Sequence, residues 1–226
     1  MEQCVPLRPD FPAWRRTSSE EAVNALTHGF GFVFAAVGSL VMMPGVLATG
    51  RPALTAGCAI YLFSLMAVYA MSTLSHSATS VRWKSRFRQF DQAFIYLLIV
   101  ATYTPFSLAF LHGPQWNLLL AAMWTVALVG FFAKILFAHR VETVSVVSYV
   151  MLGWMPIFSI PTLYRIAPEG VFQAIIAGGV FYTVGTFFLV YDEHVKHFHA
   201  AWHLCVISGS ACHFLGILMY VVPGAI

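Results

Sequence analysis

Seven long apolar stretches dominate this sequence, and each is long enough to cross a lipid bilayer as a helix. They run at about residues 23–48, 53–78, 90–112, 115–138, 143–165, 169–191 and 199–222. A transmembrane helix needs about 20 apolar residues. Membrane-spanning strands would instead alternate apolar and polar residues over about 10 positions. The pattern therefore predicts an all-α, polytopic membrane protein built as a seven-transmembrane helix bundle.

The composition also indicates a chain that is embedded in the membrane. Hydrophobic residues make up 59% of its 226 residues and charged residues only 9%, whereas soluble domains carry about 25% charged residues. We predict a single seven-helix transmembrane domain over residues 23–226, preceded by a cytoplasmic tail over residues 1–22. The four cysteines show no disulfide spacing, and we interpret them as small apolar residues.

The positions of Lys and Arg predict the orientation of the bundle. If the N-terminus is cytoplasmic, ten of the twelve basic residues lie on the cytoplasmic side, and only Arg51 and Arg165 lie outside. This distribution follows the positive-inside rule, so we expect the N-terminus inside and the C-terminus outside. Because topology accounts for the basic residues, the net charge of +3 gives no reason to expect a nucleic-acid partner.

Two local features interrupt the apolar pattern. Residues 80–88 contain four basic side chains and are expected to form a cytoplasmic loop between the second and third spans. Pro105 lies inside the third span, and Pro156 and Pro161 lie inside the fifth. Because proline removes a backbone donor from a helix, we expect kinks in the third and fifth helices.

A pair of histidines opens the last apolar stretch. His199 and His203 are four residues apart, so in a helix their imidazoles lie on one face, where both can bind one metal ion. From Ala200 to Ile226 the chain contains no Asp, Glu, Lys or Arg. Polar groups in such surroundings are costly and are usually functional. The pair is therefore a candidate metal site if other spans carry matching groups to the same depth.

Three other spans carry polar residues to that depth. With the predicted topology, the cytoplasmic ends of the first three spans hold a set of acids, amides, hydroxyls and histidines at helical spacing. These residues are Glu21, Asn24 and His28 in the first span, Ser72 and His76 in the second, and Asp91 at the start of the third. Polar residues at membrane depth normally face the interior of the bundle. We therefore expect them to meet His199 and His203 in one site.

Three histidines with nearby oxygen atoms suit zinc. We predict that His76, His199 and His203 are ligands, with the fourth position open for water, which is the pattern of catalytic zinc sites. Asp91 is the candidate general base for that water. Ser72 lies one turn from His76 and is the candidate to hold the carbonyl oxygen of a substrate. In the alternative interpretation, these groups pair among themselves as a polar bundle core.

The same residues resemble a known family. The motifs are Glu21-x2-Asn24-x3-His28, Ser72-x3-His76, the segment from Asp91 to Pro105, and His199-x3-His203 followed by His213. Together, and in this order, they are similar to the hemolysin III branch of the progestin and adipoQ receptor family. The resemblance runs from about Glu20 to the C-terminus.

The resemblance implies a seven-helix bundle with zinc near the cytoplasmic face. In the family, three histidines matching His76, His199 and His203 hold the zinc, and the acid matching Asp91 reaches it through water. The wider group includes alkaline ceramidases, and the bacterial members have been called hemolysins and are linked to membrane lipid homeostasis. The short tail resembles the bacterial branch, which implies location in the plasma membrane, the inner membrane of a bacterium.

We therefore predict a zinc-dependent hydrolase of lipid amide or ester bonds that acts in membrane lipid homeostasis. Its partners would be membrane lipids, with a sphingolipid, an acyl amide or a phospholipid as substrate. Three alternatives remain: a regulator of membrane homeostasis with a structural or sensory zinc site, a pore-forming cytolysin, and a receptor. The sequence leaves the oligomeric state open.

The remaining histidines are weaker candidates. His213 lies about 15 Å farther along the last helix than His203, too far to bind the same ion. We expect it to form a hydrogen bond inside the bundle and, like Glu21, Asn24 and His28, to support the site. The other histidines are interpreted as solvated loop residues or interfacial anchors. These are His194, His197, His112 and His139.

Overall fold

The computed structural model describes residues 17–137 and 142–225, and every regular element in these two ranges is helical. The α-helices are α1 (Ser18–Ala48), α2 (Pro52–Ser77), α3 (Val81–Phe110), α4 (Pro114–Leu136), α5 (Glu142–Trp154), α6 (Ile160–Ile166), α7 (Glu169–Val190) and α8 (Phe198–Gly216). A 3-10 segment, Met155–Ser159, joins α5 to α6. A π-helical segment, Ile217–Val221, extends α8, and a 3-10 turn at Pro223–Ala225 follows.

Seven helical segments in the described residues are long and apolar enough to cross a membrane, which confirms the predicted seven-helix bundle. The fifth span, Val146–Ile166, is composite, because the α-helix changes to 3-10 geometry around Pro156. Proline lacks the N–H that would continue the α-helical hydrogen bonds, so the interruption falls where it was expected. By contrast, α3 continues as an α-helix through Pro105. The orientation across the membrane stays a prediction.

The expectation of a loop at residues 80–88 is wrong. Helix α3 begins at Val81, so its first turns carry the four basic side chains and only residues 78–80 form the connection to α2. Charged side chains do not interrupt a helix, because its backbone hydrogen bonds are internal and the long side chains extend into water. The apolar run marks where the membrane begins, whereas the helix starts earlier.

The N-terminal helix also begins before its apolar run. Thr17 caps α1: its hydroxyl accepts a hydrogen bond from the Glu20 main chain, and the Glu20 carboxylate accepts one from the Thr17 main chain. This reciprocal capping box satisfies two donors that a helix start leaves free. Residues 18–22 of the predicted tail are therefore helical, and residues 1–16 lie outside the described residues.

Helix α3 is the centre of the bundle. It is the most buried of the spans, whereas α7 is the least buried. One core cluster packs α3 with α1, α2 and α8, through side chains such as Tyr61 and Phe106. A second cluster packs the opposite side of α3 with α4, α5 and α6, through Met123, Leu152 and Leu163. Large side chains on the outside are apolar, as a bilayer requires.

Candidate metal centre

Three imidazoles from two helices converge near one end of the bundle. His76 lies at the end of α2, and His199 and His203 lie one turn apart at the start of α8. One ligand atom from each of the three lies within 4.8 Å of the others. The Nε2 atoms of His76 and His199 are 3.2 Å apart. The structure therefore brings together the three histidines that the sequence selects, close enough to hold a metal ion.

The Nδ1 atom of each of these imidazoles contacts an oxygen atom of a neighbouring residue. Nδ1 of His76 lies 2.7 Å from Glu21 Oε2, and Nδ1 of His199 lies 2.6 Å from Asp192 Oδ2. Nδ1 of His203 lies 3.2 Å from the main-chain oxygen of Asn24. Carboxylate and carbonyl oxygens accept hydrogen bonds, so each Nδ1 carries the proton and donates it. In the neutral tautomer, Nε2 is then the atom whose lone pair can bind a metal ion.

This donor set fits a metal ion. Two neutral imidazoles whose Nε2 lone pairs face each other at 3.2 Å repel unless a cation lies between them. Imidazole nitrogen suits zinc, and acceptors on the outer nitrogen are typical of metal-ligating histidines because they fix the ring and raise its basicity. Other first-row metals also accept nitrogen ligands, so the donor set fits a class of metals that includes zinc.

Helix α1 supplies much of this support from one face. Glu21 binds His76, and its second oxygen forms an ion pair with Lys84 of α3 at 2.9 Å. The imidazole of His28 stacks on that of His203, with ring centres 3.5 Å apart and planes inclined by 13°. Asn24 contributes through its main-chain oxygen, while its side-chain nitrogen is buried without a hydrogen-bond partner among the described residues.

Two contacts of the site were not predicted. Asp192 lies in the turn between α7 and α8, seven residues before His199. Its closeness in sequence to a candidate ligand is the feature from which this contact could have been predicted. Residue His197 of this turn has a positive φ of 63°, in the left-handed region, and caps α8. The hydroxyl oxygen of Thr27, on α1, lies 3.0 Å from Nδ1 of His203. The same hydroxyl donates a hydrogen bond to the main-chain oxygen of Asn24.

Asp91 and Ser72 lie beside the histidines in one cavity. Both line the same space as His76, His199 and His203. Ser72 is fully buried, and its hydroxyl lies near the Asp91 carboxylate. The Asp91 carboxylate also interacts with the guanidinium of Arg88, one turn earlier on α3. A carboxylate and a hydroxyl therefore border the space next to the three ligands.

The cavity itself is large and mostly apolar. It has a volume of about 830 Å³ and runs from the histidines between α3, the fifth span, α7 and α8. Several of its lining side chains are at the same time exposed on the outside of the bundle: Val147 by 60%, Trp154 by 51% and Val180 by 55%. The cavity therefore opens sideways between α5 and α7, toward the surface that faces the bilayer.

The remaining histidines lie apart from this cluster. Nε2 of His213 donates a hydrogen bond to the main-chain oxygen of Ile175 at 3.4 Å, inside the bundle. His112, His194 and His197 are exposed. His139 lies outside the described residues. Among the described histidines, cysteines and acids, only His76, His199 and His203 form a group that could hold a metal ion.

Comparison with known proteins identifies the family of this chain. A family model described as "Haemolysin-III related" matches residues 16–214, a range that contains every residue of the metal centre. The chain belongs to this family. Hemolysin-3 of Bacillus cereus is 37% identical over 206 residues, which cover 91% of this chain and 94% of that protein. The resemblance to hemolysin III inferred from the motifs is confirmed.

Two further relatives broaden the comparison. The Hemolysin-3 homolog of Bacillus subtilis (strain 168) is 34% identical over 206 residues, covering 91% of this chain and 96% of that protein. A human relative, monocyte to macrophage differentiation factor, is 28% identical over 216 residues, covering 92% of this chain and 87% of its own length. The chain is therefore similar in sequence to bacterial and animal proteins over nearly its whole length.

Proposed function

We propose that this protein is a zinc-dependent hydrolase of amide or ester bonds in membrane lipids and that it acts in membrane lipid homeostasis. One observation carries the proposal: the three imidazoles that could hold a metal ion line a mostly apolar cavity of about 830 Å³ that opens toward the bilayer. A lipid can enter such a cavity from the membrane, with its acyl chain among the apolar side chains and its polar bond beside the histidines.

The histidines would hold the metal through Nε2 of His76, His199 and His203. A zinc ion bound by three protein ligands supplies a Lewis acid that polarises a carbonyl group and makes water more acidic. The acceptors on the three Nδ1 atoms fix the orientation of the imidazoles and direct each Nε2 toward the metal. With the N-terminus inside, the site lies near the cytoplasmic face of the plasma membrane.

Asp91 would transfer the proton during hydrolysis, and Ser72 would bind the carbonyl oxygen of the substrate. Asp91 accepts a proton from the attacking water, whose oxygen forms a bond to the carbonyl carbon. The Ser72 hydroxyl donates a hydrogen bond to the carbonyl oxygen as negative charge develops on it. The bond from the carbonyl carbon to nitrogen or oxygen then breaks, and Asp91 returns the proton to the leaving amine or alkoxide. The products are a fatty acid and an amine or alcohol.

A second candidate function is regulation of membrane homeostasis with a structural or sensory zinc site. The observation that favours it is the rigidity of the ligands, since every Nδ1 is already held by a neighbouring helix or turn. Pore formation is the further alternative suggested by the name of the Bacillus cereus relative, Hemolysin-3. A receptor function is the remaining one. Turnover of a lipid separates the hydrolase from all three.

The test is direct measurement of lipid hydrolysis. Purified protein, loaded with zinc, is incubated with ceramide and with phospholipid in detergent micelles, and free fatty acid is quantified by mass spectrometry. We expect release from at least one lipid class, lost on metal removal and restored by zinc. The His76→Ala variant is the control for contaminating hydrolases. Equal release by the zinc-loaded and metal-stripped protein, with both lipids, would overturn the proposal.

A further inference from the structure

The first turns of α3 carry basic side chains on two different faces. Lys84 and Arg88 line the cavity beside the metal centre, and Lys84 forms an ion pair with Glu21. Arg82 and Arg86 are four residues apart, so they share another face of the helix, and both are exposed. Neither forms an ion pair with an acid among the described residues. Two guanidinium groups therefore extend outward from the bundle at this end.

An aromatic face of α3 lies next to these two arginines. It consists of the side chains at positions 83, 87, 90 and 94, whose spacing aligns them along one side of a helix. Trp83 is 54% exposed and stacks on Phe87, with ring centres 5.7 Å apart. Phe90 is exposed, and Phe94 packs edge-on against Phe63 of α2, which is also exposed. The aromatic face therefore runs from the first turn of α3 into the surface that faces the bilayer.

The aromatic face begins before the apolar run of the third span. That run starts at about residue 90, and Trp83 precedes it by seven residues, about 10 Å along the helix. A helix face in water normally carries polar residues, whereas a stacked pair of aromatic rings is exposed here. Tryptophan is enriched at the level of the lipid headgroups, where long basic side chains also reach the phosphate groups. The start of α3 therefore has the chemistry of a membrane interface.

We propose that Arg82 and Arg86 bind the phosphate group of an anionic phospholipid, whose glycerol and acyl chains lie along the aromatic face. Guanidinium groups bind phosphate oxygens through paired hydrogen bonds. A headgroup with net negative charge is favoured over a zwitterionic one, because no described acid neutralises the two arginines. A soluble phosphate compound would leave the aromatic rings uncovered, so the whole face fits a lipid. The site lies outside the cavity, and its occupation does not depend on hydrolysis.

The experiment is a competition between two phospholipids. Purified protein in a neutral detergent is incubated with equal amounts of phosphatidylglycerol and phosphatidylcholine, and the bound lipids are quantified by native mass spectrometry. We expect the wild type to prefer phosphatidylglycerol. Arg82→Gln and Arg86→Gln should each lower this preference about fivefold, and the double variant about 25-fold, as the loss of one or two interfacial charges would give.

An arginine at the opposite end of the bundle provides a matched control. Arg165 is exposed in the last turn of α6, far along the fifth span from the start of α3. Arg165→Gln therefore removes the same charge without touching the aromatic face, and the lipid preference should stay as in the wild type. Glutamine is as good a helix former as arginine, so all of these variants should keep the wild-type melting temperature.

A second measurement locates the bound lipid. Phosphatidylglycerol brominated near its glycerol quenches tryptophan fluorescence on contact, and the quenching that is lost in Trp83→Phe reports contact with Trp83. We expect this quenching to disappear in the double arginine variant and to persist when inorganic phosphate is added at the lipid concentration. Equal binding of both lipids by the wild type, or an unchanged preference in the double variant, would overturn the site. Displacement by inorganic phosphate would overturn a lipid as its occupant.

Discussion

Nδ1 of His76 donates a hydrogen bond to Glu21 Oε2 at 2.7 Å, across the interface between α2 and α1. The other oxygen of Glu21 pairs with Lys84 of α3 at 2.9 Å, so one carboxylate links three helices. Because α1 also supplies the oxygen that faces Nδ1 of His203, it orients ligands on both helices that carry them. The metal centre therefore depends on the packing of the N-terminal helix, which itself carries no ligand.

The first prediction concerns the ligands. Replacing His76, His199 or His203 by Ala should each empty the metal site, because removing one of three nitrogen donors leaves too few to retain the ion. Thermal stability should fall as well, since a ligand present at about 100 times its Kd stabilises the fold by about 2.7 kcal/mol. Metal content is measured by inductively coupled plasma mass spectrometry. His213→Ala is the control and should keep one equivalent; full metal content in all three variants would contradict the assignment.

The second prediction concerns the outer acceptors. Glu21→Gln and Asp192→Asn keep an acceptor oxygen but remove its charge, so each should weaken metal binding by about 10- to 100-fold while the ligands remain in place. Competition with a fluorescent chelator measures the affinity. Glu169→Gln, an acid on α7 that takes no part in the centre, is the matched control. Unchanged affinity in both variants would show that the two carboxylates do not support the metal.

The third prediction separates catalysis from a structural metal. Asp91→Asn preserves shape but removes the base, so hydrolysis should fall by about 10²- to 10⁴-fold while the metal stays bound. Ser72→Ala should lower the rate without changing metal content, because its hydrogen bond acts as charge develops in the transition state. Rate and metal content are measured on the same samples. A parallel loss of both in Asp91→Asn would instead indicate support of the metal.

The fourth prediction concerns orientation. A reporter that is fluorescent only in the cytoplasm should be active when fused to the chain after Lys196 and inactive when fused after Ile226. A reporter enzyme that is active only outside should give the opposite pattern. The paired reporters control for expression. Fluorescence at both positions would place the C-terminus inside and would contradict the predicted topology.

The fifth prediction concerns the packing around His213. In Gly178→Ala, the new methyl group would collide with the imidazole of His213, so this side chain must move and lose its bond to Ile175. Overpacking of this kind costs about 1–3 kcal/mol, and we expect a lower melting temperature with unchanged metal content. Gly179→Ala is the matched control, because a methyl group there meets no atom within contact distance. A Gly178→Ala variant with the same melting temperature as wild type would contradict this packing of His213 against Gly178.

Much of this protein is determined by its sequence alone. Apolar runs of about 20 residues leave few structures other than membrane helices, because unpaired backbone groups are too costly in lipid. The same cost makes histidines and acids conspicuous within those runs. Helical spacing then placed His199 and His203 on one face, and topology placed His76 at the same depth. Hydropathy did not show where α3 begins, because water-exposed turns of a helix carry no apolar signal.

Tertiary structure decided which atoms meet. Periodicity places a residue on a face, but the partner of each Nδ1 depends on how neighbouring helices are rotated and how close they pack. This is why Asp192 and Thr27 were missed, and why Asn24 contributes its main-chain oxygen rather than its amide. The sideways opening of the cavity likewise depends on contacts between distant segments, for which a linear sequence holds no direct signal.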